Sequence, residues 1–324
     1  MEHSTNVPTT AVAHPNIALI KYWGKAQGEL NVPATPSLSI TLDTLSTRTQ
    51  VRRADRDRIV LDGVETNDAK ISGCVAALRE IYALPPIDID TRNNFPTASG
   101  LASSASGFAA LVTAINHEFE LGMDAATRSE FARRGSGSAA RSIHGGFVAL
   151  SAPDWQAHQV LAEQDWALEV VVAITTTARK EISSSAGMRK SMDSPFYAGW
   201  VSSTRTDYAA GVAAVAARDF EQLAELAEHS CLKMHGLMLA TRPGLIYWNS
   251  ATIACLHAIR ELRASGTPVF FTVDAGSQVK AICAPGWASN VANTLRALPG
   301  VIDTLVTGLG AGARIVDHET GLVQ

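Results

Sequence analysis

The segment Pro96-Thr97-Ala98-Ser99-Gly100-Leu101-Ala102-Ser103-Ser104-Ala105-Ser106 has the residue types that let a backbone close around phosphate. Phosphate oxygens need several converging N–H donors and little steric obstruction. Small residues at a helix start leave N–H groups free, add the positive end of the helix dipole and, here, supply serine hydroxyls. Ser103 or Ser104 could also ligate Mg²⁺ through its hydroxyl. No lysine follows the glycine at the spacing of the G-x-x-x-x-G-K-[ST] loop, so this is a different device. The bland alternative is a tight loop packing small residues beneath a helix.

Gly135-Ser136-Gly137-Ser138-Ala139-Ala140-Arg141 is a second anion-friendly loop. The Arg141 guanidinium presents a planar fork suited to carboxylate or phosphate, although loop arginines are more often solvated surface groups. Lys21 and Lys25 bracket Tyr22-Trp23-Gly24 after an apolar run. They either reach an anionic ligand or are the solvated lysines of an edge strand. Asp274 ends the run from Val269 to Val273 and precedes Ala275-Gly276. A strand-end carboxylate can be held at a cleft and accept a hydroxyl proton; it can also simply cap its own turn. Two glycine-serine loops and an arginine together suit a ligand with more than one anionic group.

These residues need elements to hold them. Val12 to Tyr22, Ser37 to Val51 and Arg58 to Asp62 read as strands, the second rich in Thr and Val. Ile71, Val75, Leu78 and Tyr82 share one face of a helix expected over 68–82, which Pro85-Pro86 stops. After a short strand from Ile87 to Asp90, the phosphate-suited loop leads into a helix marked by Phe108, Leu111, Val112, Ile115 and Phe119. Strands are expected at 147–151, 168–176, 268–275 and 304–316, and helices at 207–217, 220–239, 250–263 and 288–298. The polar stretch KEISSSAGM is the expected domain junction. Strands and helices in both halves make an α/β or α+β, two-lobed protein of enzyme size.

Composition limits what the lobes can do. At 324 residues, 46% hydrophobic and only 18% charged, the chain has ample material for a core and is not mainly disordered. A net charge of −4 excludes a generally basic nucleic-acid binder. No apolar run approaches the ~20 residues that span a bilayer, and the start MEHSTNVPTT carries no signal-like segment. A cytoplasmic protein with neither nucleic-acid nor membrane partner is expected. Cys74, Cys231, Cys255 and Cys283 are scattered without metal-ligand spacing, so they read as small buried hydrophobes, with no disulfide or structural metal expected.

The segments HPNIALIKYWGK, FPTASGLASSASG, GSGSAARSIHGGF, ISSSAGM and FTVDAG, in this order, resemble the diphosphomevalonate decarboxylases of the GHMP kinase superfamily from about residue 11 to about residue 314. The resemblance implies a GHMP-kinase-like fold with a central cleft between lobes 1–178 and 179–324, and a homodimer. It implies ATP and Mg²⁺, phosphorylation of the tertiary 3-hydroxyl of mevalonate 5-diphosphate, and loss of phosphate and CO₂ to give isopentenyl diphosphate for isoprenoid biosynthesis. By motif, Asp274 is the acid that orients the 3-hydroxyl, Arg141 holds the substrate carboxylate, and Lys21 supports Asp274 and the transferred phosphoryl group. Asn16, Tyr22, Trp23, Gly24, Lys25, Lys70, Ser136, Gly137, Ser138, Ala139 and Ala140 fall in substrate-binding positions. Gly100, Leu101, Ala102, Ser103, Ser104 and Ala105 form the nucleotide-phosphate loop, with Ser104 at the metal.

The chain also departs from the family's pattern. Pro33-Ala34-Thr35-Pro36-Ser37-Leu38-Ser39 replaces P-x-N-S-S-L-S, Asp274-Ala275-Gly276-Ser277-Gln278 replaces D-A-G-P-N, and Met192 stands where some bacterial relatives have arginine. These changes surround the phosphate end. They keep open mevalonate 5-phosphate or another 3-hydroxy acid as substrate, phosphorylation without decarboxylation, and a non-catalytic ligand sensor on the same fold.

Overall fold

Pro15 cannot donate to a strand ladder, and the first apolar run divides there. The computed structural model describes residues 7–26, 31–95, 103–178 and 180–316. The run expected as one strand is two, β1 (Thr9–Ala13) and β2 (Asn16–Ile20), which enter different sheets. The next run divides likewise into β3 (Ser37–Thr41) and β4 (Thr47–Arg53). Then follow β5 (Arg58–Leu61), β6 (Val64–Glu65), α1 (Ala69–Tyr82), β7 (Ile87–Asn93), α2 (Ser103–Glu118), α3 (Ala125–Gly135), α4 (Ala139–Ser142), β8 (Phe147–Ser151) and β9 (Gln156–Leu161). The remainder comprises β10 (Glu169–Ile174), α5 (Ser184–Ser191), α6 (Tyr197–Ala217), α7 (Phe220–Leu239), α8 (Ser250–Ala264), β11 (Val269–Val273), β12 (Val279–Cys283), α9 (Ala288–Arg296), β13 (Asp303–Thr307) and β14 (Arg314–Ile315).

Three sheets organise these elements. One has the order β14-β1-β4-β7-β5-β6, with β5 and β7 parallel and the other pairs antiparallel. Its apolar side packs on α1, α2 and α3 through Val51, Ile89, Leu78, Phe108, Ile115 and Phe131. Helix α2 is buried along most of its length, which is why its apolar residues run all round it. The second sheet is β2-β3-β8-β9 and the third β11-β12-β10-β13.

Side chains alternate across the third sheet. Val171, Val273 and Ala281 face Cys255, Ile259, Val291 and Leu295 of α8 and α9. Val170, Val172, Phe270 and Ile282 face Leu38 and Ile40 of the second sheet, with Leu223 and Ala227 of α7. The two lobes therefore share a core, and β14 returns to pair with β1. β10 precedes the expected junction at 178/179 and is bonded between β12 and β13.

Helix α7 spans the residues expected from its pattern. Helix α6 begins at Tyr197, ten residues before the expected start, because Trp200 and Thr204 extend its buried side. The hydrophilic α3 and α5 carry too few apolar residues to signal themselves. β12 is hidden by the lysine at its second position. All four cysteines are buried. Among the described residues no helix is long and apolar enough to cross a membrane.

Candidate active site

β2 delivers Lys21 to the seam between the lobes, where its backbone N–H donates to Ser230 Oγ of α7 at 2.9 Å. Its Nζ donates to Ala18 O at 2.8 Å and to Asp274 Oδ1 at 2.7 Å. Asp274 follows β11 and keeps 31% of its side chain exposed, whereas Lys21 keeps 1%. A second ammonium, Lys280 of β12, lies 3.3 Å from Asp274 Oδ2. Burial alone would raise the Asp274 carboxyl, but the two ammoniums outweigh it and hold it well below the usual carboxylate range. The aspartate is thus ionised at neutral pH and turned toward open space by cations behind it.

Arg141 of α4 is 1% exposed and bonded only to neutral acceptors among the described residues. It donates to Asn16 Oδ1 at 3.2 and 3.3 Å, to Ser39 Oγ at 3.1 Å and to Ser37 Oγ at 2.7 Å. Asn16 in turn donates to Ser138 O and Ser142 Oγ at 2.9 and 2.8 Å. Burial lowers the guanidinium to about 10, still charged at neutral pH. A fully buried cation without a carboxylate partner is costly, and a ligand anion would relieve that cost. Tyr22 lies beside it, its ring 5.8 Å from the guanidinium carbon and its hydroxyl buried without a partner among the described residues. Burial pushes that phenol up to about 12, so it is a neutral donor. Gly137 must be glycine here, because a Cβ would sit 2.2 Å from the Tyr22 hydroxyl.

Trp23 and Gly24 of KYWGK are tied into the structure around the cleft. Trp23 Nε1 donates to Ser191 Oγ, and Trp200 Nε1 to Trp23 O. Gly24 turns the chain at φ +100°, with Tyr197 too close to admit a side chain. Lys25 Nζ then reaches Asn31 Oδ1 at 2.6 Å, and Asn31 Nδ2 donates to Arg134 O. Burial, then Arg189 and Lys70 nearby, lowers the Lys25 ammonium.

Asn16, Lys21, Tyr22, Lys25, Arg141 and Asp274 line one cleft of about 940 Å³. Its described walls carry seven cations (Lys21, Lys25, Lys70, Arg134, Arg141, Lys180 and Arg189) and a single acid, Asp274, a net +6. Arg134 is paired with Glu130 at 2.6 Å. No described carboxylate forms an ion pair with Lys25, Lys70, Arg141, Lys180 or Arg189, so the field focuses on a polyanion. A smaller cavity of about 330 Å³, walled by Leu61, Ile71, Ile89, Phe108 and Leu111, joins the cleft at Lys70, Ser103 and Ser104.

Of the residues expected from sequence, the cleft brings together Asp274, Lys21, Arg141, Asn16, Tyr22, Trp23, Lys25, Lys70, Ser136, Gly137, Ser138, Ser103 and Ser104. Ala105, Ala139 and Ala140 are fully buried and, like Gly24, stand behind its wall. Gly100, Leu101 and Ala102 lie outside the described residues. Sequence reasoning missed Lys280, Lys180, Arg189, Asn31, Arg134 and the serines Ser183 to Ser185. KEISSSAGM, read as a junction, holds three of these and Lys180 in the cleft wall. Lys180 Nζ donates to Ser184 Oγ and Ala275 O at 2.8 and 3.1 Å.

Ser104, the hydroxyl expected at Mg²⁺, has its Oγ 3.1 Å from Ser136 Oγ. Among the described residues no cluster of three His, Cys, Asp or Glu could cage a metal. Hydroxyls beside a phosphate-suited loop fit a Mg²⁺ that takes most of its ligands from phosphate oxygens and water.

Fold and site together define a two-lobed α/β protein with a cationic interdomain cleft and a lysine-bound aspartate at its floor. Residues 13–162 match the diphosphomevalonate decarboxylase-like N-terminal domain, and residues 170–303 the mevalonate 5-diphosphate decarboxylase C-terminal domain. The chain belongs to the diphosphomevalonate decarboxylase family. It is 35% identical to the human diphosphomevalonate decarboxylase over 82% of this chain and 74% of that one. The Staphylococcus aureus mevalonate diphosphate decarboxylase superposes at a TM-score of 0.89, with 31% identity over 96% of this chain and 98% of that one. A further solved relative, 33% identical at a TM-score of 0.87 over 96% of this chain and 99% of that one, is a complex with MVAPP, AMPPCP and magnesium.

Proposed function

We propose that this cleft carries out the ATP-dependent decarboxylation of mevalonate 5-diphosphate: the 3-hydroxyl is phosphorylated, then phosphate and CO₂ depart and isopentenyl diphosphate forms. The observation that carries this reading is the ionised Asp274 on an otherwise cationic surface, with Arg141 anchored in the same cleft. A tertiary hydroxide leaves poorly and a phosphate leaves well. The first step therefore needs a group that positions the hydroxyl and takes its proton, which is the work of Asp274. Lys21 holds that carboxylate and neutralises charge on the transferred phosphoryl group.

Arg141, steadied by Asn16, Ser37 and Ser39, binds the substrate carboxylate and fixes it beside C3, where positive charge develops as phosphate leaves. Tyr22 donates its spare hydroxyl. Lys25, Arg189, Ser136 and Ser138 hold the diphosphate, with Lys70 at the border facing phosphates of either ligand. Ser103 and Ser104 take nucleotide phosphates, and the apolar cavity beside them takes the base. Mg²⁺, when bound, supplies charge neutralisation at the transferred phosphate, with Ser104 as its hydroxyl ligand. Charge supports the pairing: the +6 of the walls and the metal's two charges face two ligands of about −4 each.

The test is the purified protein with ATP, Mg²⁺ and mevalonate, its 5-phosphate or its 5-diphosphate, following ADP and CO₂. Release of CO₂ with the diphosphate alone is the expected result. ADP without CO₂ would make the protein a kinase, and binding without turnover a sensor.

A further inference from the structure

β12 runs inside the third sheet between β11 and β10, and all five of its residues are buried. Four are Val279, Ala281, Ile282 and Cys283; the fifth is Lys280, 2% exposed. An ammonium at that depth is a poor choice for packing, since a hydrophobic residue of similar volume would avoid its desolvation. Strand alternation puts Lys280 on the face that looks toward the N-terminal lobe, opposite Thr272 of β11. Thr272 Oγ1 donates to Ala18 O at 3.3 Å, and Lys21 Nζ donates to the same carbonyl. Lys280 Nζ meets Asp274 Oδ2 in this corner while Lys21 holds Oδ1. The two carboxylate oxygens are therefore held by cations from different lobes. Lys280 does not line the cleft, so its influence on a ligand passes through Asp274.

We propose, building on the reading of the site given above, that Lys280 is a positioning residue for the reaction. Its ammonium grips Asp274 Oδ2 from behind, fixes the plane of the carboxylate and keeps it ionised as the substrate hydroxyl arrives. The terminal torsion of aspartate is soft, so one bonded oxygen leaves the carboxylate free to rock, and a second contact stops it. The groups facing Asp274 are Lys21, Lys280, Lys180 ahead of α5, Arg141 of α4, and Cys231 and His235 of α7. Burial keeps both α7 groups neutral near pH 7, pushing the thiol up to about 11 and the imidazole down to about 3. Lys21 and Lys280 bond to Asp274 directly. With Lys280 neutralised, the burial that favours a protonated carboxyl meets one opposing ammonium instead of two, and the acid limb of activity moves up.

The experiment measures kcat and KM for mevalonate 5-diphosphate between about pH 5 and 9 in the full-length enzyme and in Lys280→Met, Lys280→Gln and Lys280→Arg. The variant-to-wild-type ratio cancels titration of the substrate phosphates. Met and Gln should lose ~10- to 10²-fold in kcat with KM little changed, and their ratio should fall further as pH drops. Arg, which keeps the charge, should recover most of both. A flat ratio with near-normal kcat in folded Met or Gln, or an Arg variant as impaired as Met, overturns the proposal and leaves Lys280 a packing residue. Should the neutral variants not fold, Lys280→Arg decides against the wild type: a folded Arg variant that keeps most of kcat with a flat pH ratio supports the proposal, and one that loses ~10-fold or more in kcat overturns it. Wild-type protein that releases no CO₂ from this substrate defeats the function reading itself. An active wild type with unresponsive variants defeats only the role of Lys280.

Discussion

At the floor of the cleft, Asp274 is bonded by Lys21 and Lys280, Lys21 also holds a backbone carbonyl, and Arg141 is seated on three neutral side chains. At the rim, Lys25, Lys70 and Arg189 come from separate segments and form no ion pair with a described carboxylate. Floor charges are held in place before any ligand arrives, Asp274 by two ammoniums and Arg141 by neutral acceptors. Rim charges repel one another, and a bound anion would give them the counter-charge that no described carboxylate supplies. The floor is built to orient a reacting group and the rim to attract and hold one, so damage to the two should separate into kcat and KM.

The largest effect belongs to Asp274→Asn, which keeps the shape of the floor and removes its one negative charge. The chemical step should fall by at least ~10²-fold, about 2.7 kcal/mol of barrier, with nucleotide binding retained. The variant also leaves two buried ammoniums without their carboxylate, so stability should drop, and turnover must be compared per folded molecule. Near-normal turnover would mean that the floor is not the reacting end.

The rim should respond more mildly and in the other constant. Arg189→Met should raise KM for the diphosphate ~10-fold, about 1.4 kcal/mol, with kcat nearly unchanged. Added salt should raise the wild-type KM and narrow its gap from the variant, because partly exposed charges are screened. A kcat loss as large as the KM change would show that the rim also places the reacting atoms.

The same contrast governs what could be read from the chain. Floor residues sit in short contiguous motifs, KYWGK, GSGSAAR and VDAG, so Lys21, Arg141 and Asp274 were legible although more than a hundred residues separate them. Lys280 was not, since one lysine in an apolar run looks like the end of a strand and only pairing with β11 places it beside Asp274. The rim cation Arg189 carries no local pattern, because a solvated helix arginine and a phosphate-binding one have the same neighbours in sequence, whereas its rim neighbour Lys25 was legible within KYWGK. The division of the early apolar runs needed only Pro15 and a turn, but their assignment to different sheets depends on long-range pairing. The small residues Ala105, Ala139 and Ala140 were drawn in by motif adjacency, whereas helix geometry turns them into the core.

The smallest effect tests the packing behind the floor. His235 of α7 is 3% exposed; its Nε2 lies 3.2 Å from Val273 O, one residue before Asp274, and 3.2 Å from Trp248 Nε1. Burial pushes this imidazole down to about 3. In the unfolded chain it titrates near the ordinary value of about 6.5. Above that pH both states are neutral and the folded state suffers no penalty. As pH falls below it, the unfolded chain takes up a proton that the folded chain refuses, so stability declines until the folded value is passed. The contribution is about 1.4 kcal/mol per pH unit across that window. Urea unfolding at stepped pH should show His235→Gln losing this part of the slope, whatever its stability at pH 7. Arg189→Met should keep the slope, because Arg189 is not among the groups that act on His235. Equal slopes in wild type and His235→Gln would mean that the imidazole accepts a proton in place, and that the support beneath Asp274 is wetter and less rigid than the contrast between floor and rim requires.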